Sequence, residues 1–208
     1  MKTCRIGAKK AKIVSMNRNA EPAIYFMRHG QSLANARGLV AGQLDSPLTE
    51  LGRQQAEAAG RAALAEGLKF DAIISSDLKR AAETARIVAG ILGFDQNRIT
   101  YTPLLAERGG GDFEGGPIDN YFASGETEAV GQHDVESLEQ LYGRAQRLLE
   151  SLRRNYPAKA VLLVGHSGIG KMLRLAATGQ PKSRLDKRQT LPNALIVPLA
   201  ANDKSNLQ

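Results

Sequence analysis

Apolar residues fall along this chain in short solid runs separated by longer amphipathic stretches. Residues 23–27, AIYFM, form a run of strand length that stops where polar residues and Gly30 begin. Residues 71–75, DAIIS, and 160–164, AVLLV, have the same character and predict two more buried strands. Between them the pattern is helical. Residues 50–66 carry Leu51, Ala58, Ala62, Leu64 and Ala65 among polar neighbours, and Gly67 stops them. A helix is predicted from about Leu78 to Leu92, with Asp77 as its N-cap and Gly93 as its stop. Ser137 opens another, with Gln140 three residues on as in a capping box. Leu138, Leu141, Tyr142, Ala145, Leu148, Leu149 and Leu152 then recur every three or four residues. A last helix spans about Ile169 to Ala177. Weaker strands are predicted at 98–102 and 194–199, where Pro198 demands an edge or a strand end. Residues 103–136, rich in Gly, Pro and Asp, show little period and are expected to form a long loop, a kind of segment that often carries function.

Strands alternating with helices predict a three-layer α/β/α sandwich with a mostly parallel sheet. A length of 208 residues suits one domain, expected at 21–208. In such sheets ligands bind at the carboxyl ends of the strands.

The net charge of +7 suggests an anionic polymer as partner until its distribution is considered. Residues 1–20 hold Lys2, Arg5, Lys9, Lys10, Lys12 and Arg18 and no acid, so the other 188 residues carry a net +1. The basic stretch is expected to be a flexible extension, or residues ahead of a start at Met16. A basic arm for an anionic surface and an organelle-targeting peptide are the sharper alternatives. No nucleic-acid partner is expected for the nearly neutral body. No apolar run reaches the ~18 residues that a membrane span needs. The single cysteine, Cys4, excludes an internal disulfide and fits a reducing, cytoplasmic setting.

The predicted strand ends concentrate chemistry. The run 23–27 leads into Arg28-His29-Gly30, the run 160–164 into Gly165-His166-Ser167-Gly168, and the run 71–75 into Ser75-Ser76-Asp77 with Arg80 one turn on. Two of the chain's three histidines thus lie at this edge. Guanidinium forks match phosphate oxygens and keep their charge. Neutral imidazole can attack phosphorus. Two arginines and two histidines around one phosphate would supply the positive charge that phosphoryl transfer needs without a metal.

The residues Ile24 to Ser32, then Asn35, then Gly42-Gln43-Leu44-Asp45-Ser46-Pro47-Leu48-Thr49 and Gly52 resemble the opening signature of the histidine phosphatase superfamily. This is the branch that includes cofactor-dependent phosphoglycerate mutase. Ser75 to Ala81 with Thr84-Ala85 is similar to its second block. Leu104-Leu105-Ala106-Glu107 with Glu114-Gly115 is similar to its third, and Val164 to Gly168 to its fourth. Glu136-Ser137 and Pro192-Asn193-Ala194 match smaller landmarks. The resemblance implies a phosphoglycerate mutase-like fold and a phosphorylated nucleophile at His29. It implies that Arg28, Arg80 and His166 hold the phosphate and that Glu107 donates a proton. Asn35, Ser32, Gln43 and Ser167 are implied as substrate contacts. No cofactor or metal is implied. Gln31 stands where the family usually has glutamate, and Ser167 where glycine is common. Gly110 stands where an aromatic is usual.

Two other motifs fall short. Residues 165–172, GHSGIGKM, imitate a phosphate-binding loop, but Met172 stands where a serine or threonine would hold magnesium. Around Ser167 a nucleophile elbow would need glycine where Ile169 stands.

Within the family the choice lies between a phosphomonoesterase, a mutase and a non-catalytic phosphate-binding module. From Gly109 to Gly143 there are eight acids and no lysine or arginine. An acidic lid of this kind is expected to repel a multiply anionic sugar acid and to favour hydrolysis of neutral, cationic or protein-linked phosphate monoesters.

Overall fold

The computed structural model of the chain describes residues 21–186 and 188–200. The expectations for residues 1–20, including the basic extension and Cys4, lie outside the described residues. The elements in order are β1 (Ala23–Arg28), α1 (Leu33–Ala36), α2 (Glu50–Ala65), β2 (Ala72–Ser75), α3 (Lys79–Ile91), β3 (Thr100–Tyr101), α4 (Ile118–Ala123), α5 (Glu126–Gln132), α6 (Leu138–Asn155), β4 (Ala160–Gly165), α7 (Ser167–Ala177) and β5 (Ile196–Pro198). The strands form one sheet in the order β3-β2-β4-β1-β5. All pairs are parallel except β1 with β5. Pro198 ends an edge strand, where its missing N–H breaks no ladder.

Both faces of the sheet are covered, as a parallel sheet requires. Alternate residues of each central strand serve opposite layers. Phe26, Ile74, Val161 and Leu163 pack with Leu141, Leu148 and Leu152 of α6 and Ile169 and Met172 of α7. Met27, Ile73, Leu162 and Val164 pack with Ala81, Ala85 and Val88 of α3, against which Ala59 of α2 also lies. The solid apolar runs in the sequence are this double burial. The expected three-layer α/β/α sandwich is therefore observed. Among the described residues no helix is long and apolar enough to cross a membrane.

Several boundaries differ from expectation for local reasons. Asp77 does not cap α3: Leu78 is the N-cap and has no side-chain capping bond, while the Ser76 hydroxyl accepts the Leu78 N–H at 3.2 Å. α7 starts at Ser167 and not at Ile169, because His166 is its N-cap. The strand expected over 98–102 shrinks to two residues, since the Asp95 carboxylate accepts the Asn97 N–H and winds residues 96–98 into a 3₁₀ turn. The stretch 103–136 is not a bare loop. It contains two 3₁₀ turns and the short helices α4 and α5. The capping box at Ser137 and Gln140 is observed.

Candidate active site

Three strand ends converge. β1 and β4 pair with Arg28 opposite Gly165, and the His29 N–H donates to the Gly165 carbonyl at 3.0 Å. His29 and His166, each one residue past its strand, therefore meet with ring centroids 5.0 Å apart. From β2 the chain passes through Ser76 into α3, which delivers Arg80.

The backbone at His29 is held from several sides. The Gly30 N–H donates to the Thr84 hydroxyl at 3.1 Å, and that hydroxyl donates to the Arg80 carbonyl at 2.8 Å. The Asn193 side-chain amide donates to the His29 carbonyl at 2.7 Å. A Cβ at Gly30 would strike the Gly52 carbonyl, and one at Gly52 would strike the Gln31 carbonyl. Glycine at both positions lets the first turn of α2 press directly on this loop.

Two neighbours choose the same tautomer of His29. Nδ1 lies 2.6 Å from the Gly30 carbonyl, which can only accept, so the proton sits on Nδ1. Nε2 accepts from Arg80 Nε at 3.3 Å, and a guanidinium can only donate. The lone pair is thus on Nε2. Burial, then the charges of Arg80 and Arg28, push the His29 pKa well below its usual range, against a smaller upward pull from the Gly30 carbonyl bond.

His166 is held by a hydroxyl. Its Nε2 lies 2.9 Å from the Ser76 hydroxyl. That oxygen also accepts the Leu78 N–H, and with its own proton turned to Nε2 the imidazole proton of His166 would lie on Nδ1. Nδ1 of His166 and Nε of Arg28 are buried without a hydrogen-bond partner. An unpaired buried polar nitrogen costs about 1–3 kcal/mol, and Arg28 Nε–H, which can only donate, favours a bound anion. Arg28 and Arg80 are aimed by carbonyls: Arg28 donates to Leu191 at 2.7 Å, and Arg80 to Leu44 at 2.8 Å and Gly42 at 2.7 Å.

Glu107 approaches from the 3₁₀ turn Pro103–Leu105. Its Oε1 accepts the N–H groups of Arg108 at 2.9 Å, Gly168 at 2.8 Å and Ile169 at 3.3 Å, while Oε2 has only the longer bond from Gly168 at 3.2 Å. A Cβ on Gly168 would collide with this carboxylate. Arg144 of α6 clasps the loop behind it. It donates to the Leu104, Ala106 and Glu107 carbonyls at 3.1, 2.9 and 3.2 Å and forms a fork on Glu136 with two bonds of 2.7 Å. Glu136 also brackets Gly109: its N–H donates to the Gly109 carbonyl at 3.0 Å, and its Oε2 accepts the Gly109 N–H at 3.1 Å.

The expected substrate contacts divide. Asn35 and Ser167 line the cleft beside Arg28, His29, Arg80 and Glu107. Asn35 Oδ1 accepts the Ser32 N–H and the Ser167 hydroxyl accepts the Leu191 N–H. Ser32 is fully buried as the N-cap of α1 and is not among the lining residues. Nor is Gln43, whose amide donates to the Glu107 carbonyl at 3.2 Å.

The acidic-lid expectation needs correction. Glu114 accepts the Gly110 and Gln43 N–H groups, Glu136 pairs with Arg144, Asp112 with His133 and Glu139 with Lys182. Among the described side chains none of the segment's acids lines the cleft. The described ones are bonded within the loop, paired with Arg144 or Lys182, or exposed, and Arg108 and Lys171, which sequence reasoning did not assign to the site, line the cleft instead. The signal for Lys171 was its position one turn after Ser167 on α7, on the same helix face. Arg144 carried no such signal, because its partners are mostly backbone carbonyls distant in sequence.

The depressed histidines have a consequence for stability. In the unfolded chain His29 and His166 take up protons near pH 6.5, whereas the folded protein resists doing so until lower pH. Acidification below about 6.5 therefore favours the unfolded state, and the melting temperature falls between pH 7 and 5. His29→Ala and His166→Ala each flatten that fall in a calorimetric pH series. Slopes identical to that of the unaltered protein would contradict the assignment.

A model of the histidine phosphatase superfamily (branch 1) matches residues 24–206. The chain is 34% identical over 182 residues to "Probable phosphoglycerate mutase GpmB" of Yersinia pestis (strain Pestoides F), covering 83% of this chain and 82% of that protein. Among solved structures, Bacillus stearothermophilus YhfR superposes with a TM-score of 0.72 at 28% identity, covering 84% and 89% of the two chains. A mycobacterial glucosyl-3-phosphoglycerate phosphatase, solved with VO3, superposes with a TM-score of 0.70 at 27% identity, covering 83% and 88%.

Proposed function

The chain belongs to the histidine phosphatase superfamily, branch 1, and from that membership we propose that it hydrolyses phosphate monoesters through a phosphohistidine on His29. The observation that carries this reading is the buried, neutral imidazole whose lone pair is on Nε2, together with the unpaired buried Nε–H of Arg28. In the first step Nε2 attacks phosphorus and the ester P–O bond breaks. Arg28, Arg80 and the Nδ1–H of His166 hold the equatorial oxygens, where charge spreads in the transition state. Arg80 Nε, which donates to Nε2 here, is free to turn to a phosphoryl oxygen once the N–P bond forms. Glu107 gives its proton to the leaving oxygen. Oε2, the less engaged oxygen, is the one suited to carry that proton. In the second step the Glu107 carboxylate takes a proton from water, the water oxygen attacks phosphorus, and the N–P bond breaks to release inorganic phosphate.

The guanidinium groups of Arg28 and Arg80 supply the positive charge and the imidazoles a nucleophile and a neutral donor, so the reaction is proposed to proceed without a metal. Among the described residues no three His, Cys, Asp or Glu side chains are grouped as for a metal ion. The sequence relative named as a mutase favours a second reading, phosphoryl transfer between positions of a phosphoglycerate. The structural relative named as a phosphatase supports hydrolysis. One experiment separates them. The protein, in EDTA, is offered phenyl phosphate and, separately, 3-phosphoglycerate. Release of inorganic phosphate from the aryl ester with no 2-phosphoglycerate formed is the expected result. Isomerisation of 3-phosphoglycerate without net phosphate release would replace this reading with the mutase, and a strict metal requirement would end the metal-free mechanism.

A further inference from the structure

Beyond the phosphoryl site the cleft has a second region with its own chemistry. α4 presents Ile118, Tyr121 and Phe122 to it, and Leu39, Val40 and Leu185 complete an apolar wall. Lys171 lies in the same lining. Its ammonium donates to the carbonyls of Asp186 at 2.5 Å and Gln189 at 2.6 Å, which fixes its direction and uses two of its three protons. The Asp186 carboxylate is itself occupied by the N–H groups of Arg188 and Gln189. Burial pushes the Lys171 pKa down while Glu107 and Asp186 pull it up, so the cation is partly desolvated and within reach of the site's charges.

A phosphoryl dianion offsets Arg28 and Arg80, and the Glu107 carboxylate already holds the first N–H groups of α7. Lys171 shares the lining with the apolar residues of α4.

We propose that Lys171 is a specificity-determining residue that selects phosphate monoesters whose leaving group joins an apolar, ring-sized body to a carboxylate. The apolar wall takes the body, and the third ammonium proton of Lys171 takes the carboxylate. Cationic leaving groups such as choline are disfavoured by the same ammonium. This deepens the phosphomonoesterase reading and rests on it.

The test compares meta- and para-carboxyphenyl phosphate with their methyl esters, which keep the ring and remove the charge. For at least one isomer kcat/KM exceeds that of its ester about tenfold, mainly through KM, as one charge-assisted hydrogen bond in a half-open site provides. Lys171→Met brings that ratio to about one, and Lys171→Arg retains most of it. Because the readout is a ratio, a general loss of activity in either variant cancels. A ratio near one in the unaltered protein, or one that survives Lys171→Met, overturns the proposal. Calorimetric binding of the matching phosphonates gives the same ratio without turnover. Absence of any aryl phosphate hydrolysis would therefore count against the phosphomonoesterase reading alone, while the binding ratio still decides the role of Lys171.

Discussion

His29→Ala lowers hydrolysis of phenyl phosphate by roughly 10⁴-fold or more, the scale of loss when a covalent nucleophile is removed. The protein stays folded, because the substitution deletes a desolvated imidazole near the charges of Arg80 and Arg28 and leaves the bond from the Gly30 N–H to the Thr84 hydroxyl in place. A second readout makes the result specific. Unaltered protein mixed with 32P-labelled substrate and quenched in alkali retains label on the chain, and the variant retains none. Label on a different residue, or undiminished turnover, would remove His29 from the role proposed for it.

The next largest effect is expected at Glu107, and its size depends on the substrate. Glu107→Gln keeps the shape and can still accept the α7 N–H bonds through its carbonyl oxygen, but it has no carboxylic proton to give. With alkyl phosphates, whose leaving oxygen must be protonated, kcat falls by about 10²- to 10⁴-fold. With 4-nitrophenyl phosphate, whose leaving group departs as an anion, the first step is nearly spared and the remaining loss reflects water activation in the second. The check is a plot of log kcat against leaving-group pKa, which becomes steeper in the variant. Parallel lines would show that Glu107 acts on something other than the leaving oxygen.

Most of what frames this site was legible in the residues, and the limits have physical causes. AVLLV at 160–164 predicts a strand because a chain buried on both sides has no reason to alternate, and β4 is the centre of the sheet. Ser137 with Gln140 predicts a helix start because the capping bonds are local. Arg28, His29, Arg80 and His166 stood out because strand ends concentrate them at one edge. α4 and α5 could not be seen, since six and seven residues are too few to establish a helical period. The orientation of charges was equally hidden. Eight acids in one stretch look like a repulsive lid, yet Glu136 and Glu114 turn back on Arg144 and on loop N–H groups, bonds made at separations the sequence does not display. Lys171 shows the opposite case: the broken phosphate-loop motif gave it no role, and only the helix face it shares with Ser167 brings it to the cleft.

The bracket between Gly109 and Glu136 has a consequence for how such an enzyme changes over generations. Residues 110–135 leave and return to the body at the same point, joined there by a backbone bond, a side-chain bond and the Arg144 fork. The excursion is thus a cassette with a closed base. Doubling the length of a flexible loop costs only about 0.6 kcal/mol in closure entropy, and the Glu107 loop is clasped by Arg144 from outside the cassette. Tyr121, Phe122 and Ile118 belong to the cassette, whereas His29, Arg80, Glu107 and His166 do not. Residues 114–118 are bonded to the 38–43 loop that aims Arg80, so it is changes between 119 and 135 that can redraw which leaving groups fit while leaving the proposed phosphoryl chemistry in place.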